Sequence, residues 1–321
     1  MTVAVIGTGF MGRTHLEVWK TIAEKIILCS TDTETGVRLA EEVGGRVLTD
    51  YEDVLALRPD WVDLCVPLDL HYPMAKRALQ ERIPVLCEKP FTPNEVQAEE
   101  LCALATETKT LLMVAHCERF EKSYEYLRHC LQDQRFGRLV SLRLFRESAV
   151  PGWSVGSWLK DSSRSGGVIR DMHIHDTDLI LSLLGKPLSV DTAGNDRFCT
   201  TLYRYPDIVS VTASCSWRQV ATFAFTSGFD AAFERASVAG AGEKVTVSTD
   251  DGVFDPMENE KFDAIFAKGD AMRNEVYYFA DCLKNGTPPT HCMPEESALA
   301  VRVSCAESRS AELREPVPFF E

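Results

Sequence analysis

Three ionisable side chains after Gly166 and Gly167 have types and a spacing that suit proton transfer. Asp171, His175 and Asp178 stand at i, i+4 and i+7, so on a helix they share one face. A carboxylate beside an imidazole orients the ring and stabilises its charged form, which makes a general acid–base pair. The alternative is a solvated acidic face that carries histidine incidentally.

His173 stands two residues before His175, and such a pair of histidines resembles a metal-binding pair. Residues two apart on a helix point in nearly opposite directions, so we expect no metal here. The 11 cysteines are scattered in mostly apolar segments without a Cys-x-x-Cys pair. That pattern favours reduced core thiols over a zinc site or a disulfide framework.

A lysine closes another apolar run, in Cys87-Glu88-Lys89-Pro90. If the run is a strand of a parallel sheet, its carboxyl end belongs to the edge where ligands bind. Lys89 would then lie near a ligand; the alternative is a surface lysine in a loop. His71 and His116 follow two further apolar runs and could line the same edge, although His71 could instead cap a helix.

A phosphate-binding pattern follows the first apolar run. Its Gly-x-Gly-x-x-Gly residues are Gly7, Thr8, Gly9, Phe10, Met11 and Gly12. The first glycine permits a tight turn, the second lets the backbone approach a pyrophosphate, and the third lets the helix pack on the strand. The helix N-terminus then offers N–H groups to the phosphates. A glycine-rich turn without a ligand is the alternative.

Asp32 stands 20 residues past Gly12, at the end of the second apolar run. A carboxylate there accepts hydrogen bonds from both hydroxyls of an adenosine ribose and repels a 2′-phosphate, so the sequence favours NAD over NADP. Asp32 could also be a helix N-cap, and the two roles are compatible. Arg38 is a helical turn or more away, so NADP stays open.

The elements that must position these residues change character near residue 118. Before it, six short apolar runs alternate with helical patterns, which predicts an α/β Rossmann fold with a doubly wound parallel sheet. After it, one helix over residues 168–184 and alternating runs, among them residues 198–205, 208–217, 232–238 and 244–248, predict an α+β domain with an antiparallel sheet. We expect domains at 1–118 and 119–293, with a helix near 294–321 packed back on the first.

Composition excludes several classes of protein. The 321 residues carry a net charge of −14, with 45% hydrophobic and 26% charged residues, as in soluble globular chains. The acid excess repels phosphate backbones and anionic lipid, so we expect no nucleic-acid partner and no membrane partner. No secretion signal and no membrane-length apolar run are present, which favours a cytoplasmic protein.

Taken together, these motifs resemble the Gfo/Idh/MocA family of glucose–fructose oxidoreductase and inositol dehydrogenase, over nearly the whole chain. Besides the glycine pattern, the matching segments are Val66–His71 (similar to Thr-Pro-x-x-x-His), Glu88-Lys89-Pro90, Arg119-Phe120, Gly137–Val140, Asp171 with His175 (Asp-x-x-x-His) and Ser308–Ser310. One departure is Glu312, which stands where the family's closing Ser-x-x-x-Gly motif has glycine.

The resemblance implies an NAD(P)-dependent oxidoreductase that moves a hydride between nicotinamide and a secondary alcohol or ketone of a sugar, sugar derivative or cyclitol. Lys89 would bind the reacting hydroxyl and help its proton leave. His175 would be the general base on oxidation, facing the nicotinamide with Lys89 across the domain cleft. Asp171 would hold the substrate and orient His175, and the Lys89–Pro90 bond would be cis.

The resemblance also implies sets of binding residues and an assembly. The cofactor set adds Pro67, His71, Glu88 and Lys89 to the glycine pattern and Asp32. The substrate set is Lys89, His116, Trp158, Asp171 and His175. The second sheet would be open and mainly antiparallel, and would pair subunits into a homodimer or homotetramer.

Some substrate residues have a second interpretation. Trp153 or Trp158 could stack on a sugar ring or pack in the core. Many relatives carry a small residue where His173 stands, so this imidazole would narrow the pocket if it faces inward. Two other functions are a non-catalytic NAD(P)-binding sensor or co-regulator, and a redox-neutral hydrolase or epimerase with tightly bound NAD.

Overall fold

The computed structural model describes residues 1–152, 155–218 and 220–319. The chain forms two compact units. The first comprises Met1–Cys117, Trp153–Trp158 and Met272–Val301, and the second comprises Glu118–Gly152, Leu159–Ala271 and Arg302–Glu321. The domain bounds expected from the sequence, 1–118 and 119–293 with a helix near 294–321 packed back on the first domain, stay a prediction.

The first unit contains a six-stranded parallel sheet, as predicted. Its strands are β1 (Thr2–Ile6), β2 (Lys25–Cys29), β3 (Arg46–Leu48), β4 (Trp61–Leu64), β5 (Val85–Glu88) and β6 (Leu112–Ala115). They lie in the order β3-β2-β1-β4-β5-β6. Strands β1, β4, β5 and β6 are buried almost throughout, because helices cover both faces of such a sheet.

Five helices connect these strands: α1 (Phe10–Ile22), α2 (Thr33–Val43), α3 (Tyr51–Ala56), α4 (Leu68–Gln80) and α5 (Glu95–Thr108). Three begin at side chains that accept a first-turn N–H: Asp32 for α2, Asp50 for α3 and Asn94 for α5. The strand order reverses beside β1, so the carboxyl ends of β1 and β4 border the crevice where doubly wound sheets bind ligands.

The second unit contains a nine-stranded sheet. Its strands are β7 (Leu139–Ala149), β8 (Ser189–Gly194), β9 (Phe198–Arg204), β10 (Ser210–Arg218), β11 (Thr226–Phe233), β12 (Ser237–Ala241), β13 (Lys244–Thr249), β14 (Gly252–Phe254) and β15 (Val317–Pro318). The order is β14-β13-β12-β11-β7-β10-β9-β8-β15. The sheet is mainly antiparallel, as predicted, but the central pair β7 and β10 is parallel.

The prediction of one strand over residues 232–238 is wrong. That stretch holds the end of β11, a turn and the start of β12, and the Phe233 N–H donates to the Ala236 carbonyl at 2.8 Å to close the turn. The turn carries two adjacent charged residues, Glu234 and Arg235, which interrupt the apolar alternation and were a signal for it.

The remaining helices are α6 (Lys122–Gln132), α7 (Ser162–Ser165), α8 (Gly167–Asp171), α9 (His173–Leu184), α10 (Ala271–Asn285) and α11 (Pro294–Leu313). The single helix expected over residues 168–184 is therefore broken at Met172. There the His175 N–H donates to the Met172 carbonyl at 3.3 Å, a three-residue step that interrupts the four-residue ladder. Among the described helices, none has both the length and the apolarity needed to cross a bilayer.

Candidate active site

The glycine pattern forms the turn between β1 and α1. Gly7 has φ +100°, and a Cβ there would collide with the Cys65 carbonyl oxygen. A Cβ on Gly12 would collide with the Gly7 carbonyl oxygen, so both positions need glycine for close packing. A Cβ on Gly9 would meet open space. The open space beside Gly9 is where a pyrophosphate could approach the backbone.

The rest of the pattern also fits a dinucleotide. Phe10 and Met11 open α1, and Gly9 at its N-cap offers no side-chain acceptor to compete with a phosphate for the first-turn N–H groups. Thr8 is buried, and its hydroxyl lies 2.7 Å from that of Ser30. Ser30 donates to the Asp32 carbonyl at 2.9 Å, which ties the phosphate turn to the end of β2.

Asp32 is an exposed N-cap. Its Oδ1 accepts from the Thr35 N–H at 3.1 Å, and this hydrogen bonding, helped by Arg38 and Arg13, lowers the pKa of the carboxyl. Asp32 therefore does cap α2, which was the alternative role expected for it. The carboxylate also stands at the carboxyl end of β2, so its predicted ribose role remains compatible with capping.

Lys89 follows β5 and is half-buried. Its N–H donates to Glu88 Oε2 at 3.1 Å, and the Lys89–Pro90 peptide bond is cis, as predicted. These contacts place the lysine at the carboxyl edge of the sheet that carries the glycine turn.

His71 holds the same loop from the other side. Its Nδ1 lies 2.7 Å from the Pro90 carbonyl oxygen and its Nε2 lies 2.8 Å from the Val66 carbonyl oxygen. Burial lowers the pKa of His71, while the contacts of its ring with the Pro90 and Val66 carbonyls oppose this shift. Pro67 is the N-cap of α4, so His71 connects the ends of β4 and β5. His71 does not cap α4 through its side chain.

His116 follows β6, and its side chain is almost fully buried. Trp158 lies in a short 3₁₀ segment, Val155–Lys160, and is half-buried. Trp153 lies outside the described residues. The substrate-binding roles of His116 and Trp158 stay predictions.

A buried polar cluster behind Lys89 was missed from the sequence. His15 Nδ1 lies 2.9 Å from Asp63 Oδ2, and its Nε2 lies 3.2 Å from Glu88 Oε1 and 4.0 Å from Glu275 Oε1. Burial opposes a charge on His15, but Asp63 and Cys65 raise its pKa well above the usual value. One signal was available, because Asp63 interrupts an otherwise apolar strand.

In the second unit, Asp171 is the last residue of α8 and His175 the third residue of α9. Both are half-buried, and they lie on either side of the break at Met172. Asp178, which the helical pattern placed on the same face, is instead 1% exposed. Arg119 Nε and Nη2 donate to its two oxygens at 2.7 Å each, so Asp178 has a structural pairing.

A second buried pair holds the same helix. Arg146 donates to Asp176 Oδ1 from Nη2 at 3.0 Å and to Glu118 Oε1 from Nη1 at 2.7 Å. Burial raises the pKa of Asp176 to about 6 although Arg146 opposes the shift. The helix that carries His175 is thus fixed by two arginines of its own unit.

The His173 side chain is packed inside the second unit. It is fully buried, and its Nε2 lies 3.0 Å from Thr201 Oγ1 on β9. Burial, with Arg146, lowers its pKa to about 3, so the ring is neutral. The expectation that this imidazole narrows a substrate pocket required an inward-facing ring, and the ring instead packs between α9 and the sheet.

Beside His173 lies Glu307 of α11, also fully buried. Its Oε1 accepts from the Tyr203 hydroxyl at 2.6 Å and from the Thr177 hydroxyl at 2.9 Å. Burial raises its pKa to about 8, so the carboxyl is mostly protonated at pH 7.

Comparison with known proteins decides the family. Residues 1–116 match the model of the GFO_IDH_MocA oxidoreductase family with its NAD-binding Rossmann fold, and residues 124–252 match the GFO/IDH/MocA C-terminal domain. The chain belongs to the Gfo/Idh/MocA family. The resemblance carried by the sequence motifs is thereby confirmed.

Among curated relatives of this Gfo/Idh/MocA chain, inositol 2-dehydrogenase of Rhizobium meliloti (strain 1021) is 24% identical over 306 residues, covering 89% of this chain and 90% of that protein. UDP-N-acetylglucosamine 3-dehydrogenase of Acidithiobacillus ferrooxidans is 30% identical over 195 residues, covering 60% and 58%. A 2,7-anhydro-N-acetylneuraminate hydratase of Mediterraneibacter gnavus is 29% identical over 188 residues, covering 57% and 49%. The last two matches span less than two thirds of the relatives.

A solved levoglucosan dehydrogenase in complex with NADH and levoglucosan superposes with a TM-score of 0.86 at 17% identity, covering 99% of both chains. At this identity the likeness shows the fold. The Rossmann sheet and the mixed, mainly antiparallel sheet are therefore those of Gfo/Idh/MocA dehydrogenases.

Proposed function

We propose that this chain is an NAD-dependent dehydrogenase that oxidises a secondary alcohol of a sugar, sugar derivative or cyclitol, and reduces the ketone in the reverse direction. The observation that carries the proposal is Lys89, which Glu88 and His71 hold at the carboxyl edge of the sheet that presents the Gly7–Gly12 turn. A lysine fixed beside a dinucleotide turn is suited to act on a hydroxyl next to the nicotinamide.

The cofactor assignment is supported by the fit of the turn. Gly9 leaves room for a pyrophosphate, α1 offers its N-terminus, and Asp32 provides an exposed carboxylate for the ribose hydroxyls. When bound, NAD supplies the acceptor for the hydride. NADP is the less favoured cofactor because the Asp32 carboxylate repels a 2′-phosphate.

Three side chains would do the proton chemistry. Lys89, as an ammonium, hydrogen-bonds the substrate oxygen and stabilises the charge that develops as the O–H bond breaks. His175 takes the hydroxyl proton during oxidation and returns it during reduction. Asp171 accepts a hydrogen bond from the substrate and orients the His175 ring. The half-buried positions of Asp171, at the end of α8, and of His175, on α9, support these roles. Arg119 and Arg146 fix α9 through Asp178 and Asp176.

The substrate class rests on relatives whose names include inositol and UDP-N-acetylglucosamine. These molecules share a ring that bears secondary hydroxyls. We propose such a ring as the substrate, and a cytoplasmic homodimer or homotetramer that pairs through the nine-stranded sheet.

A redox-neutral reaction with tightly held NAD is a second candidate, favoured by the hydratase among the relatives. In that case NAD would copurify with the protein and no net NADH would accumulate. A non-catalytic sensor would bind NADH and turn over none of the probes below.

The test measures reduction of NAD and of NADP with myo-inositol, levoglucosan, UDP-N-acetylglucosamine and glucose. Wild type is compared with Lys89→Ala and with Lys25→Ala, a control at the opposite end of the sheet. We expect turnover of at least one probe, a loss of about 100-fold or more in Lys89→Ala with NADH affinity retained, and no change in the control. Turnover by Lys89→Ala at the wild-type rate would contradict the catalytic role proposed for Lys89.

A further inference from the structure

A continuous line of polar contacts connects α1 to the loop that carries Lys89. His15 lies one turn into α1, three residues after Gly12. Its Nε2 is 3.2 Å from Glu88 Oε1, while Glu88 Oε2 accepts from the Lys89 N–H at 3.1 Å. The two oxygens of one carboxylate thus contact the histidine on one side and the lysine backbone on the other.

We propose that His15 is a positioning residue for Lys89 and acts through the Glu88 carboxylate. The inference rests on the proposed function, in which Lys89 binds the reacting hydroxyl. In this role His15, which lies in the helix after the phosphate turn, would fix the conformation of the loop that carries Lys89.

The surroundings of His15 fix its ring. Asp63 on β4 faces Nδ1 at 2.9 Å, and Trp19 Nε1 donates to the same Asp63 oxygen at 2.5 Å. Cys65 Sγ lies 3.5 Å from Nδ1, and Glu275 of α10 lies 4.0 Å from Nε2. His15 has no exposed surface, and Asp63 has none either, so the ring has no solvent-facing alternative.

Electrostatics explains why the contact transmits an effect. A charged His15 supplies the positive charge between Asp63 and Glu88, both of which are buried. Removing one partner of a buried pair leaves the other charge uncompensated, so that side chain must turn or take up a proton. If Glu88 turns, the Lys89 N–H loses its acceptor, and a small displacement of a group in contact with the substrate can cost about 100-fold in rate.

The experiment reads the state of Lys89 without a substrate. Reductive methylation by formaldehyde and cyanoborohydride is followed residue by residue with mass spectrometry, in wild type, His15→Gln and Glu88→Gln. Tyr51→Phe is the matched control, because it removes another internal hydrogen bond of the same unit, to the Met74 carbonyl. We expect Lys89 to be labelled at least about threefold faster in both test variants, since loosening the loop exposes it, with Lys25 unchanged throughout.

A kinetic cycle with NAD and the best-turned-over probe accompanies the labelling. His15→Gln should lower kcat by about 10-fold to 100-fold with NADH affinity retained, and should have no further effect in a Lys89→Ala background. Wild-type labelling of Lys89 in a folded His15→Gln or Glu88→Gln variant would overturn the inference, as would an undiminished His15 effect in the Lys89→Ala background.

Failure of the proposed function gives a different result, in which Lys89→Ala keeps its turnover while the labelling still reports whether His15 sets the loop. If His15→Gln does not fold, the isosteric Glu88→Gln variant decides by the same labelling.

Discussion

Arg119 and Asp178 form a fully buried ion pair in which two guanidinium nitrogens donate to the two carboxylate oxygens at 2.7 Å each. The pair joins the segment that opens the second unit to α9, the helix of His175. This geometry gives Asp178 a role in positioning α9. The sequence pattern alone had grouped Asp178 with Asp171 and His175 on one helix face.

Asp178→Asn should destabilise the protein by about 3–5 kcal/mol, because it removes the carboxylate charge that pairs with the buried Arg119 guanidinium. Chemical denaturation measures the change. Asp230→Asn is the control, since Asp230 pairs with Arg143 at the surface, where such pairs contribute about 0–1 kcal/mol. Equal losses for the two variants would show that burial of the Arg119–Asp178 pair is energetically unimportant.

Glu307→Gln should stabilise the protein at pH 8 and not at pH 5. The folded pKa of Glu307, about 8, lies above the ordinary carboxyl value, so the folded state binds the proton more tightly than the unfolded state. Stability therefore falls as the pH rises from about 4.5 to about 8, and the neutral amide removes this fall.

Melting temperatures of wild type and Glu307→Gln between pH 5 and pH 9 test the sign. The increase in melting temperature of Glu307→Gln over wild type should grow up to about pH 8 and then stay level. Each kcal/mol of added stability corresponds to about 2–4 °C. Glu312→Gln, an exposed position on the same helix, should show no such trend. A gain that is constant across this range would contradict protonation of Glu307 in the folded state.

Asp32→Ser should move the cofactor preference toward NADP. Serine keeps the N-cap of α2, so stability is preserved, while the charge that repels a 2′-phosphate is removed and Arg13 and Arg38 remain nearby. We expect the ratio of NADPH to NADH affinity, measured by fluorescence titration, to rise by about tenfold. Asp50→Ser, the equivalent cap of α3, should leave the ratio unchanged. An unchanged ratio in Asp32→Ser would exclude Asp32 from ribose binding.

Gly9→Ala and Gly12→Ala should separate binding from folding. The Gly9 methyl group meets only open space within the protein, so the variant should keep its stability and lose NADH affinity by about tenfold or more. The Gly12 methyl group collides with the Gly7 carbonyl oxygen, so that variant should lose both. Titration and melting curves read the two effects. Full NADH affinity in Gly9→Ala would place the pyrophosphate elsewhere.

The parts of the molecule that could be predicted from the sequence are those marked by short motifs of neighbouring residues. The Gly7–Gly12 turn, the Asp32 cap and the Lys89 loop each show a recognisable residue pattern directly after one apolar run. Their distant contacts, such as that of Gly7 with Cys65 and that of Pro90 with His71, are not part of this pattern. The alternation of short apolar runs with helices was also enough to predict the parallel sheet, because both faces of such a sheet are buried.

Buried polar clusters escaped prediction because their members are distant in the chain. His15 meets Glu88, and His173 lies close to Glu307, only once the units have folded. The break at Met172 was missed for a related reason: hydrophobic periodicity continues across it while the hydrogen-bond ladder does not. The fate of Asp178 depended on Arg119, which no helical pattern identifies.

The proposed reaction is hydride transfer from a ring carbinol with Lys89 at the reacting oxygen. The most direct measurement uses the best-turned-over probe, deuterated at its reacting carbinol carbon, and follows the label by mass spectrometry in wild type and Lys89→Ala. Hydride transfer with Lys89 at the reacting oxygen predicts deuterium in the reduced nicotinamide for wild type, and loss of that transfer in Lys89→Ala with NADH binding intact. Turnover without deuterium in the nicotinamide, or undiminished transfer in Lys89→Ala, would contradict it.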